Sequence, residues 1–204
     1  MPTIFLIRHG ENDYTKAHKL AGRRPGVHLN ESGRAQAQAV AAALQTSVKL
    51  KAVYSSPLER TLETAQPIAE AQGLKVQVRA GLIETDLGAW QGRTIKALAR
   101  TKVWKAMQAR PARFRFPGGE SMAEQQARLV SEVEGLLGRH RPRDAVAIVS
   151  HADPIKLVIA HYIGLPLDLF QRLIVATASA SVLVFDQDAV HLAALNQVFP
   201  MDKT

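Results

Sequence analysis

Short apolar runs alternate along the chain with longer amphipathic segments, and this alternation predicts an α/β fold. The two strongest runs, Thr3–Arg8 and Ala145–Val149, are rich in β-branched residues, as is typical of buried strands. Weaker strand patterns are found at Ala52–Tyr54, Lys75–Val78, Thr177–Phe185 and Val190–Leu195.

The first long amphipathic segment predicts a helix rich in alanine. Asn30 is a suitable N-cap, and the helix is expected to run to about Leu44. Along it Ala35, Ala39 and Ala43 share one face, and we expect this small-residue face to approach the sheet closely.

A second helix is expected to begin within Ser56–Glu59. This run combines a capping box with Pro57 at the first helical position. Arg60 would lie in the first turn, off the apolar stripe of the helix. That stripe is predicted to consist of Leu58, Leu62, Ala65 and Ala69.

Two more helices are predicted in the second half of the chain, separated from the first two by an irregular segment. One runs from about Ser121 to Leu137, and the other follows Val149. Their inward-facing residues are expected to be Met122, Leu129, Val133 and Leu136 on the former and Ile155, Val158, Ile159 and Tyr162 on the latter. No repeat or linker is visible, so we predict one domain, residues 1–204, with a cap insertion at about 88–119.

Composition is that of a globular protein without special requirements. Of the 204 residues, 47% are hydrophobic and 22% are charged, which is enough for one substantial core. No apolar run reaches the ~18 residues of a membrane helix, and no secretion signal precedes the first strand pattern. The sequence has no cysteine, which excludes disulfides and thiolate chemistry. We expect a cytoplasmic protein.

The formal net charge of +8 favours anionic partners. The basic residues are scattered, apart from small clusters at Arg110–Arg115 and Arg139–Arg143, and they form no helical stripe interleaved with aromatic residues. We therefore expect no nucleic-acid and no membrane partner. A basic surface that steers small anions is the favoured interpretation.

Chemistry-bearing residues follow the two strongest strand patterns. Arg8 and His9 end the first, and His151 follows the second. Ligands of open α/β sheets gather outside the carboxyl ends of strands, and Arg60 would lie in the first turn of a helix, where an anion is also favoured. Two imidazoles and two guanidiniums in one place suit the binding and attack of a phosphoryl group.

Five ordered motifs resemble the histidine phosphatase superfamily, which includes cofactor-dependent phosphoglycerate mutases and small phosphatases. The motifs are Arg8–Glu11, Ser56–Arg60, Glu84 with Gly88–Trp90, Gly119–Ser121, and Ser150–His151. The resemblance spans about Thr3 to Leu195. It implies a phosphoglycerate mutase-like α/β fold, a three-layer sandwich whose central, mostly parallel sheet carries helices on both faces.

The resemblance also implies catalytic roles. His9 would attack phosphorus to give a phosphohistidine, and Glu84 would protonate the leaving alcohol and later activate water. Arg8 and Arg60 would hold the phosphoryl oxygens, and His151 would stabilise the developing charge. Fixed positive charge does most of the work in such transfers, so neither a metal nor a cofactor is implied.

Other positions are expected to bind substrate, and some of them depart from the family pattern. Thr15 stands where many members have Asn, Asn12 where Ser or Thr is usual, and Ala21 replaces Gln before Gly22. Ala152, whose backbone N–H would help to bind phosphate, stands where Gly is frequent. These differences imply a reshaped pocket around an otherwise complete mechanism.

The sequence favours hydrolysis of a small phosphorylated metabolite, with inorganic phosphate as product and ligand. Only 85–118 separates Glu84 from the Gly-Glu-Ser motif, and a short cap should admit water. A phosphoglycerate mutase-type transfer and a non-catalytic phospho-ligand module remain alternatives. Trp90 and Trp104 are interpreted as packing residues rather than a ligand platform. The cap arginines would bind a second anionic group or be solvated, and they are Arg93, Arg100, Arg110, Arg113 and Arg115.

Overall fold

The computed structural model describes residues 2–186 and 189–200. The predicted domain bounds 1–204 also include residues 1, 187–188 and 201–204, which lie outside the described residues. The strands of the described part are Thr3–Arg8 (β1), Leu50–Ser55 (β2), Val76–Val78 (β3), Ala145–Ser150 (β4), Ala180–Phe185 (β5) and Val190–Gln197 (β6). All six strand predictions are therefore confirmed, with ends shifted by a few residues.

The four long helices are also present. In chain order the α-helices are Asp13–Lys16 (α1), Glu31–Ser47 (α2), Glu59–Ala71 (α3), Ile95–Leu98 (α4), Lys102–Ala109 (α5), Met122–Leu137 (α6) and Ala152–Tyr162 (α7). Short 3-10 turns occupy Ala80–Leu82, Gly88–Trp90, Pro111–Arg113 and Leu167–Arg172. Among the described helices, none combines the length and apolar character that crossing a bilayer requires.

The strands form one mixed sheet in the order β3-β2-β4-β1-β5-β6. The first four strands of this order run parallel, while β5 is antiparallel to both β1 and β6. In the centre, β1 and β4 are in register from Thr3 opposite Ala145 to Arg8 opposite Ser150. Their carboxyl ends therefore reach the same edge of the sheet side by side, as Arg8-His9 and His151 require.

Helices cover both faces of the sheet, so the predicted three-layer α/β sandwich is confirmed. Side chains of β1 alternate between the faces: Ile4 and Leu6 pack in the cluster formed with α6 and α7, and Ile7 packs with α2 and α3. Leu129 and Ile155 represent the helical side of the first cluster. Both faces are apolar, which explains the near-continuous hydrophobic runs of β1 and β4.

The small-residue face predicted for α2 was wrong. Ala35 is exposed, and Ala39 and Ala43 are only partly buried. The buried stripe lies one residue further round the helix, where Val40 and Leu44 bury more apolar surface than alanines would. The capping of this helix by Asn30 is confirmed, because its side chain accepts a hydrogen bond from the Gly33 amide at 2.8 Å.

The capping box predicted at Ser56–Glu59 was also wrong. Helix α3 begins at Glu59, its N-cap residue is Leu58, and no cap hydrogen bond from that side chain is present in the described structure. Pro57 precedes the helix. Leu62, predicted to lie in the apolar stripe, is only partly buried. The buried face of the helix includes Arg60 and Thr61 instead.

The loop after β1 and the first turn of α2 approach each other too closely for side chains. A Cβ atom on Gly33 would lie 1.9 Å from the carbonyl oxygen of Glu11, and one on Gly10 would lie 2.5 Å from that of Gly33. A second tie comes from Thr64, whose hydroxyl accepts a hydrogen bond from the Gly10 amide at 3.0 Å. The position of the residues that follow His9 therefore depends on α2 and α3.

We predict that Gly33→Ala destabilises the protein, because the methyl group collides with backbone rather than with a movable side chain. The loss in unfolding free energy should be about 1–3 kcal/mol, the cost of an overpacked site. Gly135→Ala is the matched control, since nothing lies within 4 Å of a Cβ on that glycine of α6. It should stabilise by about 0.5–1 kcal/mol. Urea unfolding measures both, and equal effects would contradict the close approach.

Candidate active site

Two buried imidazoles meet at the carboxyl ends of β1 and β4. His9 and His151 directly follow the paired residues Arg8 and Ser150. Their ring centroids lie 5.2 Å apart with the planes at 65°. His9 is 3% exposed and His151 is fully buried. Residues separated by most of the chain length are thus brought together by the central strand pair.

The hydrogen bonding of His9 leaves one ring nitrogen free to react. Nδ1 lies 2.8 Å from the carbonyl oxygen of Gly10, which can only accept, so Nδ1 carries the proton. Nε2 then holds a lone pair. Burial lowers the pKa of His9 well below its ordinary value of 6.5, and the nearby charges of Arg60 and Arg8 lower it further. The ring is therefore neutral and nucleophilic at neutral pH.

Arg60 and Arg8 are each anchored by one hydrogen bond to a backbone carbonyl, and each has other nitrogen donors without a partner among the described residues. Arg60 donates from Nη2 to the carbonyl of Gly22 at 2.7 Å, and Arg8 donates from Nη1 to that of Val175 at 2.8 Å. Buried Nε and Nη1 of Arg60 and Nε of Arg8 have no partner among the described residues. These N–H groups are held in place and remain available to an anion.

Two further buried donors belong to the same group. Nδ2 of Asn12 and Nδ1 of His151 also have no hydrogen-bond partner within the described residues. The carbonyl side of the Asn12 amide caps α1 by accepting from the Thr15 amide at 2.9 Å. A buried donor without a partner is costly, so five of them around one histidine indicate a binding site for an anion.

A cavity of about 390 Å³ opens onto these groups. Arg8, His9, Asn12 and Arg60 line it, and the ring of His151 packs edge-on against that of His9. The expected binding residues Thr15, Gly22 and Ala152 line it as well. The hydroxyl of Thr15 is occupied in the cap of α1, whereas the Ala152 amide is the first N–H of α7 and has no partner within that helix.

Glu84 faces the same cavity from the loop after Ala80–Leu82. Its Oε1 accepts a hydrogen bond from the Thr85 amide at 2.8 Å, and its Oε2 lies 3.7 Å from Nδ1 of His151. Burial raises the pKa of Glu84 to about 6, with Asp153 adding to the rise, although Arg60 and Arg8 oppose it. This carboxyl group can therefore change protonation near neutral pH, as an acid and base must.

Ser56 contributes to the site, although its position in the sequence suggested a helix cap. Its hydroxyl lies 2.9 Å from Nε2 of His151, and both residues are fully buried. The serine that resembles a helix cap thus orients an imidazole instead. Burial and the charge of Arg60 hold the pKa of His151 well below its ordinary value, so the hydroxyl faces a neutral ring.

The loop that carries Glu84 is fixed by two arginines that share one carboxylate. Arg128 donates from Nη1 to the carbonyls of Gly81 and Ile83, and Arg23 donates from Nε to that of Glu84. Oε1 of Glu120 accepts from Arg128, Arg23 and the Asp86 amide at 2.9, 3.1 and 2.9 Å. The sequence signalled Glu120 only through its Gly-Glu-Ser motif, and neither arginine could be singled out.

The cap arginines do not reach the cavity. None of Arg93, Arg100, Arg110, Arg113 and Arg115 lines it in the described structure, and Arg115 pairs instead with the exposed carboxylate of Glu124. Two lysines, Lys19 and Lys156, line the cavity instead. Lys156 is held 2.9 Å from Oε1 of Gln171 and 3.3 Å from Asp153.

Comparison with known proteins agrees with the geometry of the site. The model of the histidine phosphatase superfamily (branch 1) matches residues 4–198. The chain belongs to the histidine phosphatase superfamily. Within the described residues of this histidine phosphatase, no three His, Cys, Asp or Glu side chains are grouped so as to hold a metal ion.

Relatives of this histidine phosphatase carry both phosphatase and mutase names. It is 31% identical to Phosphoserine phosphatase 1 of Hydrogenobacter thermophilus over 96% of this chain and 92% of that protein. It is also 31% identical to a Probable phosphoglycerate mutase GpmB of Erwinia tasmaniensis, over 89% and 84% of the two chains. Other curated relatives are longer, and the chain spans half of their length.

The solved structures include a close match in fold. Mycobacterial glucosyl-3-phosphoglycerate phosphatase Rv2419c, in a complex with VO3, superposes with a TM-score of 0.87 at 29% identity. The alignment covers 96% of this chain and 98% of that one. The phosphoglycerate mutase-like fold expected for this histidine phosphatase is thereby confirmed.

We predict that Glu120→Ala destabilises the protein far more than Glu124→Ala. The first change leaves two partly buried arginines and an amide without their shared acceptor, at a cost of about 1–3 kcal/mol. The second removes an exposed ion pair and one helix cap, both of minor weight. Urea denaturation of the two variants compares them. Similar losses would contradict the role of Glu120 as the shared acceptor.

Proposed function

We propose that the protein is a phosphomonoesterase that hydrolyses a small phosphorylated metabolite through a phosphohistidine on His9. The observation that carries this proposal is the set of five buried, unpartnered donors that the described structure places around a neutral imidazole. Arg8, Arg60 and Asn12 supply four of these N–H groups, and His151 supplies the fifth. Positioned donors of this kind are what phosphoryl transfer requires.

In the first half-reaction the lone pair on Nε2 of His9 forms a bond to phosphorus. The P–O bond to the alcohol breaks, and its electron pair stays on the alcohol oxygen. Protonated Glu84 supplies the proton that this oxygen needs. The guanidiniums of Arg8 and Arg60 and Nδ1–H of His151 stabilise the charge on the equatorial oxygens.

The second half-reaction returns the enzyme to its starting state. Glu84, now a carboxylate, takes a proton from water as the water oxygen bonds to phosphorus. The N–P bond breaks, its electrons return to Nε2 of His9, and inorganic phosphate is released. Microscopic reversibility assigns the same carboxyl group to both proton transfers.

Relatives named as phosphatases of phosphoserine and of glucosyl-3-phosphoglycerate support hydrolysis, while others named as phosphoglycerate mutases support a transfer instead. Mutase-type transfer therefore stays the alternative, and a non-catalytic phospho-ligand module is the third candidate. We further propose that inorganic phosphate is a ligand and that nucleic acids and membranes are not partners. A cytoplasmic location also stays a prediction.

The wild-type protein is incubated briefly with 32P-labelled p-nitrophenyl phosphate and then denatured. We predict that acid-labile phosphate remains bound to the protein. A phosphorus–nitrogen bond to imidazole hydrolyses in acid and survives in alkali. His9→Ala should lose both the trapped label and all turnover, since Nε2 forms the bond. Thermal unfolding of the variant verifies that its fold is intact.

Product analysis with 3-phosphoglycerate, together with the trapping experiment, separates the candidate functions. Release of free phosphate from 3-phosphoglycerate faster than formation of 2-phosphoglycerate agrees with hydrolysis, and the reverse order overturns it in favour of a mutase. Binding of phosphate esters with no label and no product would leave only the ligand-binding module. Gly135→Ala serves as the control variant, because its substitution site lies on the exposed side of α6.

We predict a pH dependence that belongs to Glu84. Its pKa is raised to about 6, so the protonated acid that phosphorylation needs is lost as the pH rises above that value. For an alkyl phosphate, the ratio of kcat/KM between wild type and Glu84→Gln should therefore fall up to tenfold per pH unit above about 6. Titration of the substrate affects both proteins equally and cancels.

For p-nitrophenyl phosphate the same ratio should be small and nearly independent of pH, because an activated leaving group needs little proton donation. Steady-state kinetics between pH 5 and 8 on both esters provide the measurement. Equal losses on the two esters at every pH would exclude Glu84 as the acid.

A further inference from the structure

The cavity is much larger than a phosphoryl group, and much of its lining is apolar. Besides the groups near His9 its lining includes Leu87, Trp90, Ile95, Trp104, Met107 and Phe116, which we call the aromatic wall. The phosphoryl group of a monoester occupies only the part of the cavity formed by His9 and the arginines. The rest of the cavity is therefore the space left for the alcohol that the reaction releases.

The aromatic wall is rigid and well packed. The rings of Trp90 and Trp104 are stacked, with centroids 5.5 Å apart and planes at 27°. Phe116 meets Trp90 edge-on at 5.2 Å, and Phe114 supports both from behind. Trp90 and Phe116 are only 4% and 2% exposed, so they fix the position of the wall, and the partly exposed Trp104 carries its accessible aromatic surface.

Two residues of the aromatic wall are accessible to solvent. Ile95 is 38% exposed and Trp104 is partly exposed. Partly exposed apolar side chains beside a buried ionic end gain from being covered by an apolar ligand. Both residues belong to the segment that the sequence indicated as a cap, although packing alone was expected of its tryptophans.

Of the two lysines that line the cavity, one is paired and the other is exposed. Lys156, with a side chain only 13% exposed, contacts Asp153 and Gln171. Lys19, which also lines the cavity, is exposed. A leaving group with a carboxylate or a second phosphate would thus meet a neutralised ion pair and a solvated lysine, next to an extended apolar surface.

We propose that the physiological substrate is a phosphate monoester of an alcohol that carries an aromatic or similarly flat, apolar group, which packs against Trp104 of the aromatic wall. This inference rests on the proposed phosphatase function and specifies its substrate class. Aromatic stacking and burial of a ring supply binding that a small polar metabolite lacks. A compact zwitterion such as phosphoserine would leave the aromatic wall uncovered.

Equilibrium binding tests this proposal without turnover. Trp90 and Trp104 are the two tryptophans of the sequence, and both line the cavity, so intrinsic fluorescence reports directly on its occupancy. The probes are phenylalkyl phosphonate and ethyl phosphonate, which cannot be hydrolysed. The phenyl compound should bind roughly 10- to 100-fold more tightly than the ethyl compound and should change the tryptophan emission. Equal affinities would overturn the proposal.

Kinetics with esters of similar leaving-group basicity provide the second arm. 2-Phenylethyl phosphate should show kcat/KM roughly 10-fold or more above that of ethyl phosphate and O-phosphoserine. Trp104→Ala should reduce this preference at least fivefold, and Trp104→Phe should restore most of it. Val103→Ala is the matched control, because Val103 lies on the same helix, is 46% exposed and is not part of the cavity lining.

The outcomes separate the two proposals. Preferential binding of the phenyl phosphonate without hydrolysis of any ester would overturn the phosphatase function and leave the aromatic site standing. Hydrolysis with a preference for phosphoserine or ethyl phosphate would support the phosphatase function and overturn the aromatic site. Loss of preference in Val103→Ala as large as in Trp104→Ala would also count against stacking on the aromatic wall.

Discussion

Burial of positive charge without a full set of partners is the constraint on which the rest of the site depends. Arg60 is 1% exposed, yet two of its nitrogen donors lack partners among the described residues. Such a group is expensive to bury, so the fold must hold it by other means and an anion must complete it. The Gly22 carbonyl holds it here, and burial together with the charges of Arg60 and Arg8 keeps the pKa of His9 low and its ring neutral.

Sheet topology explains why these groups can meet at all. The two histidines follow adjacent parallel strands, and β5 continues the sheet in the opposite direction on the other side of β1. Parallel neighbours deliver their carboxyl ends to one edge, where helix N-termini also point. Ser56 and Arg60 enter from the segment after β2, the other neighbour of β4. Three neighbouring strands of the sheet thus bring together the two imidazoles and the guanidiniums to which the proposed mechanism assigns attack and anion binding.

Residues at strand ends were predictable from the sequence because strand patterns and short motifs are local signals. Hydrogen bonds between polar residues far apart in the sequence were not predictable. Ser56 had the appearance of a helix cap, yet its hydroxyl contacts His151, 95 positions away. Glu120 accepts a hydrogen bond from Arg23, 97 positions away. The rotation of α2 depended on which side chains buried most area against the sheet, which spacing alone does not determine.

The phosphoryl group and the alcohol of a substrate place different chemical requirements on the cavity. Every phosphate monoester presents the same head group, so the donors around His9 are fixed by the reaction itself. The alcohol differs from one substrate to another, and in the proposed reaction it would face the segment that contains Trp90, Trp104 and Phe116. That segment has short helices and turns rather than a regular pattern, so its side chains can change without disturbing the sheet. The proposed function therefore assigns chemistry to the strand ends and selectivity to the irregular segment, which is why short sequence motifs indicate the reaction while the substrate class had to be inferred from the lining of the cavity.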